Sequence, residues 1–304
     1  MKKEKDMKQI LFLIMALIPV FQPKIFTQYT ITTVIYIFLN LFEIVYFIEL
    51  FYKNEKKISK PLIIWILYRI YIFLIMAVND NFGGILQWGY ITLMVTNLFF
   101  VFEYVKGKEE QKLIYSISVI GIAFLTINFI TLLIFKNGII ESTFYNSADN
   151  AYYFLGIKTQ FTTMIFPTIT ATVFNYGIEK NKKSKKILVL AILVSLLNIF
   201  YKKISTAIVG IIMLVILLFV EKKIKIKLDY KIYIAIALCI QIAIIFFNIQ
   251  QHFAFAIVNI LHKDITLSSR IYIWKNTKQL LKEQSLIKLW LRKWIILSQC
   301  ICAI

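Results

Sequence analysis

The sequence predicts an all-α, polytopic integral membrane protein, and three observations carry that reading. Hydrophobic residues fill 60% of the 304 positions and the mean hydropathy is +0.74, well above the level of a soluble domain. The apolar residues fall into about nine runs that approach or reach bilayer-crossing length. The lysines between those runs alternate, abundant in one gap and sparse in the next. Nine Gly, four Pro and three Cys exclude collagen-like, low-complexity and disulfide-framework architectures. A net charge of +19 points to nucleic acid only when it gathers on one water-facing surface. Here it sits between apolar runs, so no nucleic-acid partner is expected.

The runs lie near 9–22, 29–52, 61–78, 85–105, 112–135, 160–178, 186–201, 204–221 and 230–249. Each must satisfy its backbone N–H and C=O groups within itself, which predicts helices. The first is short and follows Lys2, Lys3, Lys5 and Lys8, as in a signal peptide. No small-residue cleavage site follows Val20, and Gln22-Pro23-Lys24 reads as a turn, so this run is assigned as an uncleaved span. The N-terminus and the second, fourth, sixth and eighth gaps hold 4, 4, 3, 5 and 5 lysines, 21 in all, whereas the odd gaps hold 1, 0, 2 and 2, 5 in all. The positive-inside rule then makes the N-terminus cytoplasmic. Nine crossings put everything after residue 249 outside, where eight further Lys and Arg stand against the rule. The organisation expected is a bundle over 1–249, an outer loop with an amphipathic helix over 250–287, and an aberrant tail over 288–304. No two halves resemble each other and no helices are broken by Gly or Pro at matched positions, so the inverted-repeat signature of many secondary transporters is missing.

Glu43 in the second run and Arg69 in the third each stand about nine residues from the cytoplasmic end, hence at similar depth. An unpaired charge in hydrocarbon costs at least ~2.5 kcal/mol, so a structural ion pair between them is expected, with a milder loss in the double variant than in the singles.

The remaining polar features gather on the outer side. The fifth gap is the longest between spans, and Tyr152 and Tyr153 within it read as interfacial anchors or as substrate contacts. Lys158 and Gln160 enter the sixth span where a helix N-terminus exposes free N–H groups, either to meet an anion or, for Lys158, to snorkel. Lys202 and Lys203 form a tight turn before Ser205, a capping residue for the eighth span, and together they suggest a second anion-attracting spot. In the outer tail, Ser268 or Ser269 caps a helix whose apolar face includes Ile273, Trp274, Leu280 and Leu281, with Lys275, Lys278 and Lys282 turned away. Arg270 stands in its first turn, where a cation opposes the helix dipole unless an anion lies between them. Contact of a basic face with lipid head groups is the other reading.

These tracts resemble the bacterial O-antigen ligase and polymerase family. Ser269-Arg270-Ile271-Tyr272-Ile273-Trp274 is similar to that family's small-residue, Arg, three-residue gap, Trp signature. The tract Phe154 to Phe161 is similar to its Leu-Gly-x-Lys/Arg-Asn entry into a span, with Thr159 in place of Asn, and Lys203-Ile204-Ser205-Thr206-Ala207 resembles a further basic, Ser/Thr-rich helix start. The resemblance implies a GT-C-like glycosyltransferase, a polymerase or ligase, in the bacterial cytoplasmic membrane. It implies undecaprenyl diphosphate-linked oligosaccharides as partners beside the lipid bilayer, and companion assembly proteins such as a flippase and a chain-length regulator. No cofactor and no metal are expected: His252 and His262 are ten residues apart with no Cys close by. Either histidine suits general-base work as a neutral imidazole, or is interfacial. A repeat-unit flippase or another multi-spanning transporter is the alternative.

Residues 288–304 fit none of this. Read one base later, every Trp codon becomes a Gly codon, so Trp290 and Trp294 become glycines, and with favourable codons at the other positions residues 289–303 resemble the Gly- and Tyr-rich segment that the family carries after its Arg and Trp helix. The expectation is a frameshifted product lacking closing spans and inactive or weakly active alone. The coding DNA around codons 284–290 decides it, because an intact frame with no Gly-rich alternative removes the idea.

Overall fold

A computed structural model describes residues 2–53, 59–78, 82–107, 110–140 and 151–204, and beyond them 207, 208, 210–212, 239 and 255. The chain divides into two compact units, Met1–Ile208 and Val209–Ile304. In the second, residues 210–212, 239 and 255 are helical. The first unit contains seven α-helices among its described residues: α1 Lys2–Leu17, α2 Thr30–Lys53, α3 Lys60–Val78, α4 Ile85–Val105, α5 Glu110–Ile134, α6 Thr162–Glu179 and α7 Lys182–Lys202. They follow the first seven apolar runs in order. Five of them, α2, α3, α4, α5 and α7, are long and apolar enough to cross a membrane. The chain is therefore all-helical over its described residues, with a multi-pass membrane character. The eighth and ninth runs, the amphipathic helix and the 288–304 tail lie outside the described residues.

α1 bridges two groups of helices. It packs on α4, which also carries α2 and α3, and on α5, which forms a three-helix group with α6 and α7. Leu13, Ala16 and Leu17 of α1, Phe47 and Phe51 of α2, Phe100, Val101 and Val105 of α4 and Leu113 and Ile120 of α5 make one buried cluster. Phe47 and Phe100 stack within it, centroids 6.2 Å apart. Lipid offers apolar surface as readily as another helix does, so small residues and polar side chains mark where helices approach. Gly121 of α5 is such a point: a Cβ there would lie 2.0 Å from Thr168 Oγ1 of α6. α6 and α7 close on Lys180 and Lys203, both left-handed, at φ 48° and 50°. A lysine there places a cation against the last carbonyls of its helix.

The ends of the helices sort into two sets. At one end, Lys112 pairs with Asp6 at 2.7 Å, Gln111 donates to Glu179 at 3.2 Å, and Lys183 lies 5.1 Å from the Tyr115 ring centroid. These contacts join the N-terminus to the fourth and sixth gaps. At the other end the Ile25 N–H donates to the Phe154 carbonyl at 3.3 Å, and Lys202 meets Tyr153, joining the first, fifth and seventh gaps. For these gaps and the N-terminus, the lysine count gives the same two sets.

Among the ion pairs of the described residues there is none between Glu43 and Arg69, where the sequence led to one being expected. α4 packs on both α2 and α3 and intercepts each charge. Glu43 accepts a hydrogen bond from Asn97 Nδ2, which also reaches Asn40 Oδ1 at 3.2 Å. Arg69 donates from Nε to Thr92 Oγ1 at 2.8 Å and from Nη2 to the Trp88 carbonyl at 3.0 Å. Its guanidinium lies 5.4 and 5.6 Å from the Trp65 and Trp88 ring centroids. Desolvated cation–π contacts of this kind are worth about 2 kcal/mol, so Trp65 of α3 and Trp88 of α4 both stabilise the cation.

Candidate functional site

The segment 151–161 is the centre of the second end. Its course is set by two isolated bridges, Ile140 with Tyr152 and Tyr153 with Gly156, the latter closing a four-residue reversal. Gly156 has φ +101°, and a Cβ on it would meet Gln160 Oε1 at 2.0 Å and Lys24 Cβ at 2.8 Å, so glycine is required for both the turn and the close packing. The reversal is anchored from below. The buried Leu155 N–H donates to Asn128 Oδ1 at 2.9 Å, and Asn128 Nδ2 donates to Asn198 Oδ1 at 2.8 Å, tying the loop to α5 and α7 together. Phe154 is held edge-on by Phe26 on one side and Phe124 on the other.

Tyr153 is 2% exposed and lies against Phe161, with ring centroids 6.1 Å apart. Its hydroxyl donates to the Lys136 carbonyl at 2.9 Å and accepts from Lys202 Nζ, whose ammonium also lies 4.3 Å from the ring centroid. Two residues singled out from different gaps, Tyr153 and Lys202, are thus direct partners. An ammonium has three donors and Tyr153 takes one, so Lys202 retains hydrogen-bonding capacity.

The other sequence-predicted residues fare differently. Lys158 and Gln160 stand on a 3-10 turn, Lys158–Phe161, that precedes α6. The Gln160 side chain accepts from the Ile157 N–H at 3.1 Å, which makes it a local cap of that turn. Lys158 and Tyr152 are half-buried in the same segment, and Lys203 is exposed at the end of α7. Ser205, His252, His262, Arg270 and Trp274 lie outside the described residues.

Two residues that sequence reasoning passed over belong here. Lys24, in the first gap, packs its Cβ against Gly156, and Lys136 supplies the carbonyl that fixes Tyr153; both side chains are exposed. With Lys158, Lys202 and Lys203 they are all five lysines of the sparse gaps, and Lys24, Lys136, Lys158 and Lys202 border this one segment. No acidic residue stands in the described parts of the first, fifth and seventh gaps. Glu141 and Asp149 of the fifth lie outside the described residues. The only signal available was that each lysine broke the charge rule. Chemically, the cluster is a cation-rich, aromatic-backed rim on a buried hydrogen-bonded support, suited to an anion at a membrane surface. No group of three or more His, Cys, Asp or Glu among the described residues is arranged to hold a metal ion. No family model, curated protein or solved structure matches this chain.

Proposed function

We propose that the chain is a membrane polymerase that joins undecaprenyl diphosphate-linked oligosaccharide repeat units of a surface polysaccharide. In this reading it has nine crossings and a GT-C-like architecture, sits in a bacterial cytoplasmic membrane with its N-terminus inside, and holds its site on the outer face. The observation that carries the reading is the gathering of Lys24, Lys136, Lys158 and Lys202 around one pinned loop. Placing lysines outside opposes the orientation signal, and an anionic partner at this rim offsets that cost. In glycosyl transfer an acceptor hydroxyl attacks the anomeric carbon, the bond to the lipid diphosphate breaks, and the diphosphate leaves with its charge. Fixed cations beside that leaving group stabilise it most where charge develops. Arg270 supplies a bidentate phosphate contact in this scheme, Trp274, Tyr152 and Ser205 line the substrate, and His252 or His262 accepts the hydroxyl proton.

The test is the length of the sugar chain in the native host. Deleting the gene should leave single repeat units on the lipid at the outer surface. Undiminished polymer would remove the proposal, and single units trapped inside would favour a flippase instead.

A further inference from the structure

The opposite end of the bundle carries a groove that the proposed reaction does not use. It is an open, almost wholly apolar depression of about 480 Å³, lined among the described residues by Lys182, Lys185, Lys186, Val189, Leu190 and Leu193. These residues recur at three- and four-residue spacing, so they form one stripe of α7. Ala191, Val194, Ser195 and Asn198 occupy its buried side. The stripe is divided by chemistry: its first turn is cationic and the next two are aliphatic. From Lys186 to Leu193 the helix rises about 10 Å, which takes the groove from head-group depth into hydrocarbon. No ammonium of the three lining lysines makes an ion pair or hydrogen bond with a described residue, whereas their neighbour Lys183 is engaged by Tyr115. No carboxylate is among the described residues that line the groove.

We propose that this groove binds one anionic phospholipid of the surrounding leaflet, its phosphate against Lys182, Lys185 and Lys186 and an acyl chain along Val189, Leu190 and Leu193. Charge complementarity selects the occupant. A zwitterionic lipid brings its own ammonium toward three lysines, while a glycerol-headed anionic lipid brings only the phosphate and hydroxyls. A free phosphate would satisfy the cations and leave the aliphatic half uncovered.

The experiment uses the full chain in detergent micelles, with native mass spectrometry reading the binding of phosphatidylglycerol, phosphatidylcholine and inorganic phosphate. Phosphatidylglycerol should bind at least about tenfold more tightly than phosphatidylcholine, given roughly a fivefold gain for each lysine near an anionic head group. Changing Lys182, Lys185 and Lys186 together to Gln should bring the two lipids within about twofold of each other, while the same change at Lys53, Lys60 and Lys106 should preserve the difference. Leu190→Trp, which fills the apolar half and leaves the charge intact, should weaken phosphatidylglycerol binding. This arm keeps the idea testable if the triple variant fails to fold. Equal loss in the two triple variants, no effect of Leu190→Trp, or displacement of the lipid by inorganic phosphate at the same concentration would each overturn the assignment.

Discussion

Asn128 is the residue on which the geometry of the pinned loop depends. Its two amide atoms face different elements, Oδ1 taking the Leu155 N–H and Nδ2 reaching Asn198 on α7. Asn128→Ala removes both bonds in a fully buried position. A stranded backbone N–H costs about 1–3 kcal/mol. An interhelical hydrogen bond in a membrane averages about 0.6 kcal/mol and reaches about 1.7. Together these give a loss of about 2–4 kcal/mol. Asn198→Ala should cost less, because it leaves the Leu155 bond in place while giving up contacts to the Leu125 and Val194 carbonyls. Stability is read by unfolding the purified protein with increasing SDS mole fraction, and the loop by hydrogen exchange at the Leu155 amide. Protection at Leu155 should vanish in Asn128→Ala and persist in Asn198→Ala, and the double variant should lose less than the sum of the singles. Strict additivity with an unchanged Leu155 amide would refute the reasoning, since it would mean that Asn128 joins neither partner.

Gly121→Ala should cost about 1–3 kcal/mol by forcing α5 from α6, and Thr168→Ala should restore part of the loss; tolerance of Gly121→Leu in the same SDS titration would contradict the close approach. Glu43→Gln and Arg69→Gln should add within about 0.5 kcal/mol, because α4 holds each separately, and a double variant milder than the sum would reinstate a direct pair. Within the proposed reaction, Arg270→Ala should stop polymer growth without affecting insertion, and Arg270→Lys should recover only part, since a point charge replaces a fork; full-length polymer from Arg270→Ala would exclude it from the site.

The helices were legible because the bilayer requires an unbroken apolar run for every crossing, and a run is a local property of sequence. Which helices touch was not legible. Much of α2 and α3 is exposed, including Phe38, Phe42, Ile64 and Leu67, and an apolar side chain facing lipid reads the same as one facing a neighbour. That is why equal depth suggested a Glu43–Arg69 pair while α4 supplied the partners of both. At the lysine-poor end, Tyr153, Lys158, Lys202 and Lys203 were readable as local anomalies. Lys24 and Lys136 broke the same charge rule, but their association with segment 151–161 was not readable, because it depends on where the first gap and the end of α5 fold. The capping bond of Gln160 is local, its side-chain carbonyl taking an N–H three residues away.

The composition of α6 bears on how the chain enters a membrane. α6 is not among the helices apolar enough to cross on their own, and it contains Pro167 with buried Thr168, Thr172 and Asn175. Its neighbours cover those groups: α5 places Gly121 against Thr168, and α6 packs along both α5 and α7. A nascent α6 leaving the translocon alone would present hydroxyls and a carboxamide to acyl chains, at a cost that polar groups in hydrocarbon normally incur. Its partition into the bilayer therefore depends on α5 having already arrived and on α7 being synthesised before release. The three would be integrated as one co-translational unit, with α6 retained beside the exit gate until its last escort emerges.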